Sequence, residues 1–396
     1  MMILRYFSEL QFIQIRVAAF VVAMVVYGGF GSPTPDVLGG AEIVVAGLLL
    51  FAVGVEGGRY ALVPARGGAL WRQVGQGVLV YGLLAGLVMG VMQGNDLRLI
   101  VRDVIPFLFL VVPLFFAPLL QSQSWWVVVA ACGVGVLFAV RVVSGFEADA
   151  LYYLGNSPLV LFTALLCAGV AIMRLAAGFK GRNILVAVAF LAVAGLCVLP
   201  LMMALQRASL AYMAVYAVIV LGLAFMRYPK RALVMVAVLG IPLLIYVSQM
   251  DVMAALRRKS SLYGANMRVE EWAAVWEAVS ASPFILLFGQ GWGASFSSPA
   301  VADIEVNFTH SLLSSMVLKT GVVGLVFVLA YLAALAREGV RVLRVNPFVA
   351  LALLGPIVID VLFYAAYKSL DFGIILSLVV FYAGLYKVPD QRFVAN

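Results

Sequence analysis

Apolar runs of about twenty residues recur down this chain with short polar turns between them, and that recurrence dictates its fold class. A helix needs roughly 20 apolar residues to cross about 30 Å of hydrocarbon. Inside lipid every backbone N–H and C=O must be satisfied within the protein, so runs of this length read as helices. Twelve spans are expected, at roughly 13–31, 37–56, 73–93, 104–120, 125–144, 157–177, 184–205, 209–227, 232–249, 309–335, 347–366 and 372–387. Charged residues make up only 11% of the chain, against about 25% in soluble domains. The expectation is an all-α polytopic membrane protein forming one domain over residues 1–396, because such helices bury their polar spots only against one another.

Arg5 and Arg16 precede the first apolar run, but Phe-Gly-Ser-Pro-Thr-Pro after it reads as a loop and a second span follows. The first run is therefore a span rather than a cleavable signal. Cys132, Cys167 and Cys197 all fall inside apolar runs, which argues against a disulfide framework or a metal site.

Basic residues set the expected orientation. Sixteen of the 26 lie on one alternate set of segments: Arg5, Arg16, Arg59, Arg66, Arg72, Arg174, Lys180, Arg182, Arg227, Lys230, Arg231, Arg337, Arg341, Arg344, Lys387 and Arg392. The opposite turns and span ends hold Arg98, Arg102, Arg141, Arg207 and Lys368. By the positive-inside rule both termini are cytoplasmic, and the long 250–308 segment faces outward. The cytoplasmic turns are too short for a nucleotide-binding domain, and no glycine-rich phosphate motif occurs. The net charge of +8 reflects this topology first and an anionic partner second.

The long outward segment has internal order. Residues 269–280 fit a helix carrying Trp272 and Trp276 four apart on one face, an arrangement that favours the headgroup layer. Pro283 ends it, and Phe284 to Phe288 is apolar enough to dip toward lipid. Gly289, Gly291 and Gly293 allow a tight, closely packed backbone. His310, the only histidine, opens the tenth span. It reads either as a hydrogen-bonded residue at a helix start or as a general base toward a hydroxyl.

Arg207 lies in an outward turn against the charge bias, either snorkelling or holding an anion. Arg268 is either solvated or part of the same site. Arg257, Arg258 and Lys259 read as a solvated or headgroup-touching run that adds to an electropositive outer face. Arginine pairs with phosphate through two parallel bonds, so a lipid diphosphate is the natural anion. Charges within spans need partners. They are Glu42, Asp103, Arg141, Lys319 and Asp360, and Lys319 is expected to pair with Asp360 from the adjacent span. Lys368 and Asp371 sit in the last outward turn and either line the same cavity or pair at the surface. A single histidine and no convergent acidic motif argue against bound zinc and give little support for another divalent metal.

Asn307-Phe-Thr-His310-Ser-Leu-Leu-Ser-Ser-Met-Val-Leu-Lys-Thr-Gly321-Val-Val-Gly324 resembles the signature of the O-antigen ligase and polymerase superfamily, in which a histidine begins a span and Gly-x-x-Gly follows about a dozen residues later. Upstream, Arg268-x-x-x-Trp272 through Gly289-x-Gly291-x-Gly293 resembles the arginine, tryptophan and glycine run of that family's large periplasmic loop, and Arg207 with Ser209 resembles its arginine turn. The likeness covers residues 200–325, and the twelve-span layout extends it loosely. Ser311 stands where asparagine is frequent, and Lys319-Thr320 where an acidic residue is common, which leaves the subfamily open.

The resemblance implies an inverting, metal-independent membrane glycosyltransferase of the GT-C type with no soluble cofactor, in the inner membrane of a bacterium. Its donor is a glycan on undecaprenyl diphosphate. Its acceptor is a second lipid-linked repeat unit in an O-antigen polymerase, or the lipid A core in an O-antigen ligase. A chain-length regulator and other polysaccharide or lipopolysaccharide assembly proteins are the implied protein partners; nucleic acid is not one. Catalytic roles fall to His310, Arg207 and Arg268, and substrate contacts to Arg207, Arg268, Arg257, Arg258, Lys319 and Lys368. The texture around His310 favours a polymerase. The alternative from another class is a lipid-linked oligosaccharide flippase or transporter, which would carry polar residues through the whole membrane thickness; these spans are too aliphatic for that outside their outer half. A structural scaffold would not need buried outward arginines.

Overall fold

A computed structural model describes residues 2–31, 39–64, 69–122, 124–145, 153–237 and 267–386, with side chains in the first helix described from Phe12 onward. The helices are α1 (Met2–Phe30), α2 (Gly40–Leu62), α3 (Leu70–Met92), α4 (Leu97–Leu110), α5 (Val112–Leu120), α6 (Trp126–Val143), α7 (Pro158–Ala177), α8 (Gly181–Met203), α9 (Arg207–Arg227) and the short α10 (Pro229–Met235). Beyond the long segment's first half come α11 (Arg268–Ser280), α12 (Pro283–Phe288), α13 (Leu312–Val345), α14 (Pro347–Leu362) and α15 (Leu370–Leu385). Taking α4 and α5 together, nine helices among the described residues are long and apolar enough to cross a membrane, and α14 and α15 are shorter apolar helices. The chain is an all-α, polytopic, membrane-embedded protein. Large side chains such as Leu50, Leu185 and Phe30 are more than 70% exposed on these helices, as lipid-facing residues are.

Most of the ninth expected span (232–249), and the Arg257, Arg258 and Lys259 run, lie outside the described residues. Three other boundaries differ from expectation. The fourth span begins at Leu97 and breaks at Val111, just before Pro113. The tenth runs on to Val345 and carries Arg337, Arg341 and Arg344 with it. The eleventh stops at Leu362, and Ala365–Lys368 forms a separate 3-10 turn.

Two helices are broken at glycines in the left-handed region, and each break exposes carbonyls that need donors. In α2 the break is Gly54 (φ 59°), where buried Arg16 donates to the carbonyls of Ala52 at 2.8 Å and Val53 at 2.5 Å, and to Glu56 at 2.5 Å. In α13 it is Gly321 (φ 66°). The backbone N–H of Gln290 donates to Leu318 O at 2.9 Å, and that of Gly291 to Lys319 O at 3.0 Å. The Gly289–Gly293 loop is thus plugged into the break in α13. Its three glycines have φ of 76°, 81° and 84°, and a Cβ on Gly291 would collide with the backbone of Met89 and Gly90. The expected close packing is therefore present.

Trp292 follows into a slot on α3. Its indole donates to Gly82 O at 2.7 Å, and its backbone N–H to Gly86 O at 3.0 Å. Gly82 and Gly86 leave room for the ring and for Phe107 beside it.

Lys319 does not pair with Asp360. Its ammonium lies 2.6 Å from Asp103 Oδ2 of α4 and also donates to Ala294 O, with both charged side chains almost wholly buried. Asp103 accepts as well from Gly293 N–H at 2.7 Å. The break at Gly321 explains the difference. It frees the segment before it to lean on the glycine loop, and that loop already sits against α4. Asp360 is buried, with one carboxylate oxygen lacking any hydrogen-bond partner.

Candidate functional site

The 268–280 helix forms as expected, but its buried face is not the tryptophan face. Glu271, Val275 and Val279, spaced four apart, turn inward, while Trp272 is partly buried and Trp276 half exposed. Val275 and Val279 pack on Val317 and Leu318 of α13 and on Phe296. This packing carries Glu271 into the protein, where a carboxylate is tolerated only with partners.

Those partners come from the return of the chain. A small antiparallel hairpin, β1 (Phe296–Ser298) and β2 (Ile304–Val306), pairs Phe296 with Val306 and Ser298 with Ile304. The buried Ser298 hydroxyl donates to Glu271 Oε1 at 3.2 Å. His310 comes next, one residue before Ser311, whose hydroxyl caps α13 by accepting from Leu313 N–H at 3.2 Å. The histidine backbone N–H donates to Glu271 Oε2 at 3.1 Å, and its ring Nδ1 lies 2.9 Å from Glu271 Oε1. A carboxylate at that distance fixes the proton on Nδ1 and leaves the Nε2 lone pair free to accept one. The neighbouring backbone is held firmly: Thr309 donates to Ser311 O at 2.8 Å and takes a hydrogen bond from Ser314 at 2.9 Å, and the Tyr367 hydroxyl donates to Thr309 O. The histidine side chain remains 23% exposed, so the base is seated but reachable.

Arg268 and Arg207 share a construction. Each is the first residue of a helix, α11 and α9, and neither helix has a side-chain N-cap. Each follows closely on a non-glycine residue in the left-handed region, Met267 (φ 55°) and Leu205 (φ 48°). Helix starts without a side-chain cap present the positive end of the dipole, a setting that favours anions. The two arginines converge electrostatically on Tyr364, whose phenol burial pushes up and both guanidinium groups pull down. Arg268 Nη1 stands 4.0 Å from Glu271 Oε2, is buried, and has no hydrogen-bond acceptor. Burial lowers the Arg268 pKa against the opposing pull of Glu271 and Tyr364. The Glu271 carboxyl is raised by burial, against the opposing effects of Arg268, the Ser298 hydroxyl and Lys368.

Lys368 lies alongside, its ammonium 5.1 Å from the centre of the Phe308 ring, which in turn meets His310 edge-on at 5.6 Å. Burial pushes the ammonium pKa down to about 7; Lys319 and Arg102 reinforce this, while Asp103 and Glu271 oppose it. Lys368 also lines a cavity of about 20 Å³ with Asp103, Trp292, Ser315 and Tyr367, enough for a single water. A larger groove of about 650 Å³ along α1 and the start of α6 shares no lining residue with this site.

His310, Arg207, Arg268 and Lys368 are therefore the sequence-level candidates that the fold brings to one end of the bundle. Lys319 is buried and committed to Asp103, so it faces no open site. Asp371 does not share a cavity with Lys368: it is buried against Tyr27 and Ser157. Glu271 and Tyr364 were missed. Glu271 carried a legible signal, because an acidic residue four before Val275 and eight before Val279 sits on the apolar face of its helix. Tyr364 carried none. Among the described residues, no three His, Cys, Asp or Glu side chains form a metal-binding group. No protein-family model and no curated protein matches this chain.

Proposed function

We propose that this protein is an inverting membrane glycosyltransferase that polymerises undecaprenyl-diphosphate-linked repeat units into O-antigen or a related surface polysaccharide. In this reading it lies in a bacterial inner membrane with both termini cytoplasmic and the His310 site toward the periplasm. The observation that carries the proposal is the pairing of a seated histidine base with an arginine donor that is buried and lacks an acceptor.

The acceptor hydroxyl attacks the anomeric carbon of the donor sugar as its proton passes to His310 Nε2. The bond between that carbon and the diphosphate oxygen breaks, with inversion, and undecaprenyl diphosphate departs with the electron pair. Glu271 stabilises the imidazolium that forms. Arg268 and Arg207 meet the charge growing on the leaving diphosphate, the place where fixed donors contribute most. Two guanidinium groups and two helix N-termini perform the neutralisation that a divalent ion performs elsewhere. The polyprenyl chain lies against apolar helices, the physical reason for building such a site inside a membrane protein.

A deletion strain tests the reaction class. Single repeat units capped onto the lipid A core identify a polymerase. Long lipid-linked polymer with bare core identifies a ligase, and lipid trapped on the cytoplasmic side identifies a flippase. The purified protein is expected to keep its activity in chelator; loss restored by magnesium would overturn the metal-independent part of the reading.

Lys368 gives this reading a pH signature. Its proton is lost as pH rises through about 7, so its help in holding an anionic donor is present below that pH and lost above it. One charge-assisted hydrogen bond contributes about 1.5–3 kcal/mol. The KM for the lipid diphosphate donor is therefore expected to rise about tenfold or more between pH 6 and pH 8.5. Lys368→Arg should flatten that rise; an unchanged profile in the variant removes Lys368 from donor binding.

A further inference from the structure

The groove of about 650 Å³ along α1 plays no part in the arrangement around His310. Its geometry follows from how α1 and α6 lie together. The Tyr27 ring packs on Phe138 with centroids 5.4 Å apart, and Arg141 donates to Gly28 O at 3.3 Å and Gly31 O at 2.7 Å. The earlier part of α1 shares the groove with Ser122, Ser124 and Trp126. The two helices therefore run in the same direction, and both begin at the same end of the bundle.

The polar lining is all at that end: Gln14, with Ser122 and Ser124 from the link between α5 and α6. Beyond it the walls are apolar, with Val17, Ala18, Val21 and Val22 on successive turns. Trp126 stands beside the polar end and is 62% exposed, as tryptophans are at a membrane–water interface. The Ser122 hydroxyl oxygen is buried and has no hydrogen-bond partner. A helix rises about 1.5 Å per residue, so Gln14 and Val22 stand about 12 Å apart along α1. One leaflet's share of the hydrocarbon is about 15 Å. The groove thus has the depth of a single leaflet, and its volume lies within the range of about 300–1,000 Å³ typical of ligand pockets.

We propose that this groove binds one acyl chain of a glycerophospholipid, drawn from the leaflet on the side of the N-terminus. The chain lies along Val17, Val21 and Val22. Its ester carbonyls, which are acceptors only, take hydrogen bonds from the hydroxyls of Ser122 and Ser124 and the carboxamide of Gln14. Among the described residues no charged side chain lines the groove. Arg16, nearby on α1, is 2% exposed and turned away, donating to Ala52 O, Val53 O and Glu56 of α2. A polyprenyl diphosphate is the wrong occupant, because its charges would fall among neutral groups; the cations such an anion needs stand around Arg207 and Arg268 instead. The groove and its ligand do not depend on the glycosyltransferase reading.

Photolabelling of the full chain in phosphatidylcholine nanodiscs, with a fraction of the lipid carrying a diazirine on one acyl chain, tests this. Peptide mapping is expected to find label on residues 13–22 and Trp126 several-fold above other exposed span surfaces, such as that around Leu185, which is 72% exposed. Ala18→Trp, at an exposed position, fills the groove and removes that excess while label near Leu185 stays the same. Val22→Trp, at a position 50% exposed, keeps the test open if the first variant does not insert. Replacing phosphatidylcholine with phosphatidylglycerol, or raising the salt, leaves the excess unchanged, because the groove carries no charge. Even label over all exposed spans (surrounding lipid only) would overturn the site, as would an excess that survives both variants. So would displacement of the label by a polyprenyl diphosphate, or an α1 label that falls as more copies are loaded per nanodisc, the mark of a second copy seated there.

Discussion

His310→Ala is expected to lower the rate of glycan transfer by about 10²–10⁴-fold, the usual contribution of a positioned general base, while the protein still inserts and folds. The ring is 23% exposed, so its removal opens no deep cavity. Glu271→Gln separates base from positioner. Without the carboxylate the imidazolium loses its stabilising charge, so the base pKa falls and the acid limb of the rate profile moves to lower pH. The Nδ1 proton is also no longer fixed, because an amide offers either a donor or an acceptor to the ring. The expected outcome is an intermediate loss of rate with little change in KM, measured with purified lipid-linked substrate over a range of pH. Normal long-chain polysaccharide in the His310 variant would remove the histidine from the mechanism. A Glu271→Gln enzyme with a full rate and an unshifted acid limb would make the carboxylate a structural partner only.

How much of this arrangement was legible depended on the range of the interaction that creates it. Spans are legible because partition into lipid acts on each run of twenty residues separately, whatever its neighbours do. The site helix at 268–280 and the tight glycines at 289, 291 and 293 are local in the same sense. Breaks are less so. Gly54 and Gly321 look like any other glycine in an apolar run; what makes each a break is a donor from elsewhere, Arg16 in one case and the Gly289–Gly293 loop in the other. Contacts across distant sequence were beyond reach. Glu271 meets His310 across 39 residues because β1 and β2 turn the chain back. Proximity of spans in sequence pointed Lys319 to Asp360, while the fold delivers Asp103 from α4.

That misplaced partner leads to the largest expected effect on stability. Lys319→Met should cost about 3–5 kcal/mol, because it strands the Asp103 carboxylate in a buried position with only the Gly293 N–H left to it. Asp103→Leu should cost a similar amount, stranding an ammonium that keeps only Ala294 O. The double variant Lys319→Met, Asp103→Asn removes both charges and retains an acceptor for Gly293, so it should recover much of the loss. Lys319→Met combined with Asp360→Asn should instead be additive to within about 0.5 kcal/mol, as for residues that share no interaction. Unfolding of these variants together with the single Asp103→Asn and Asp360→Asn variants, in one detergent, closes both cycles and decides between these partners: strong coupling with Asp360 and additivity with Asp103 would reverse the assignment. Function should follow stability here for a geometric reason. Lys319 holds the Gly289–Gly293 loop through Ala294 and Asp103, and that loop fills the break in α13 about three turns beyond His310. Once the pin is lost, the base, its carboxylate and the arginines no longer share one rigid frame, and the double variant should regain turnover together with stability.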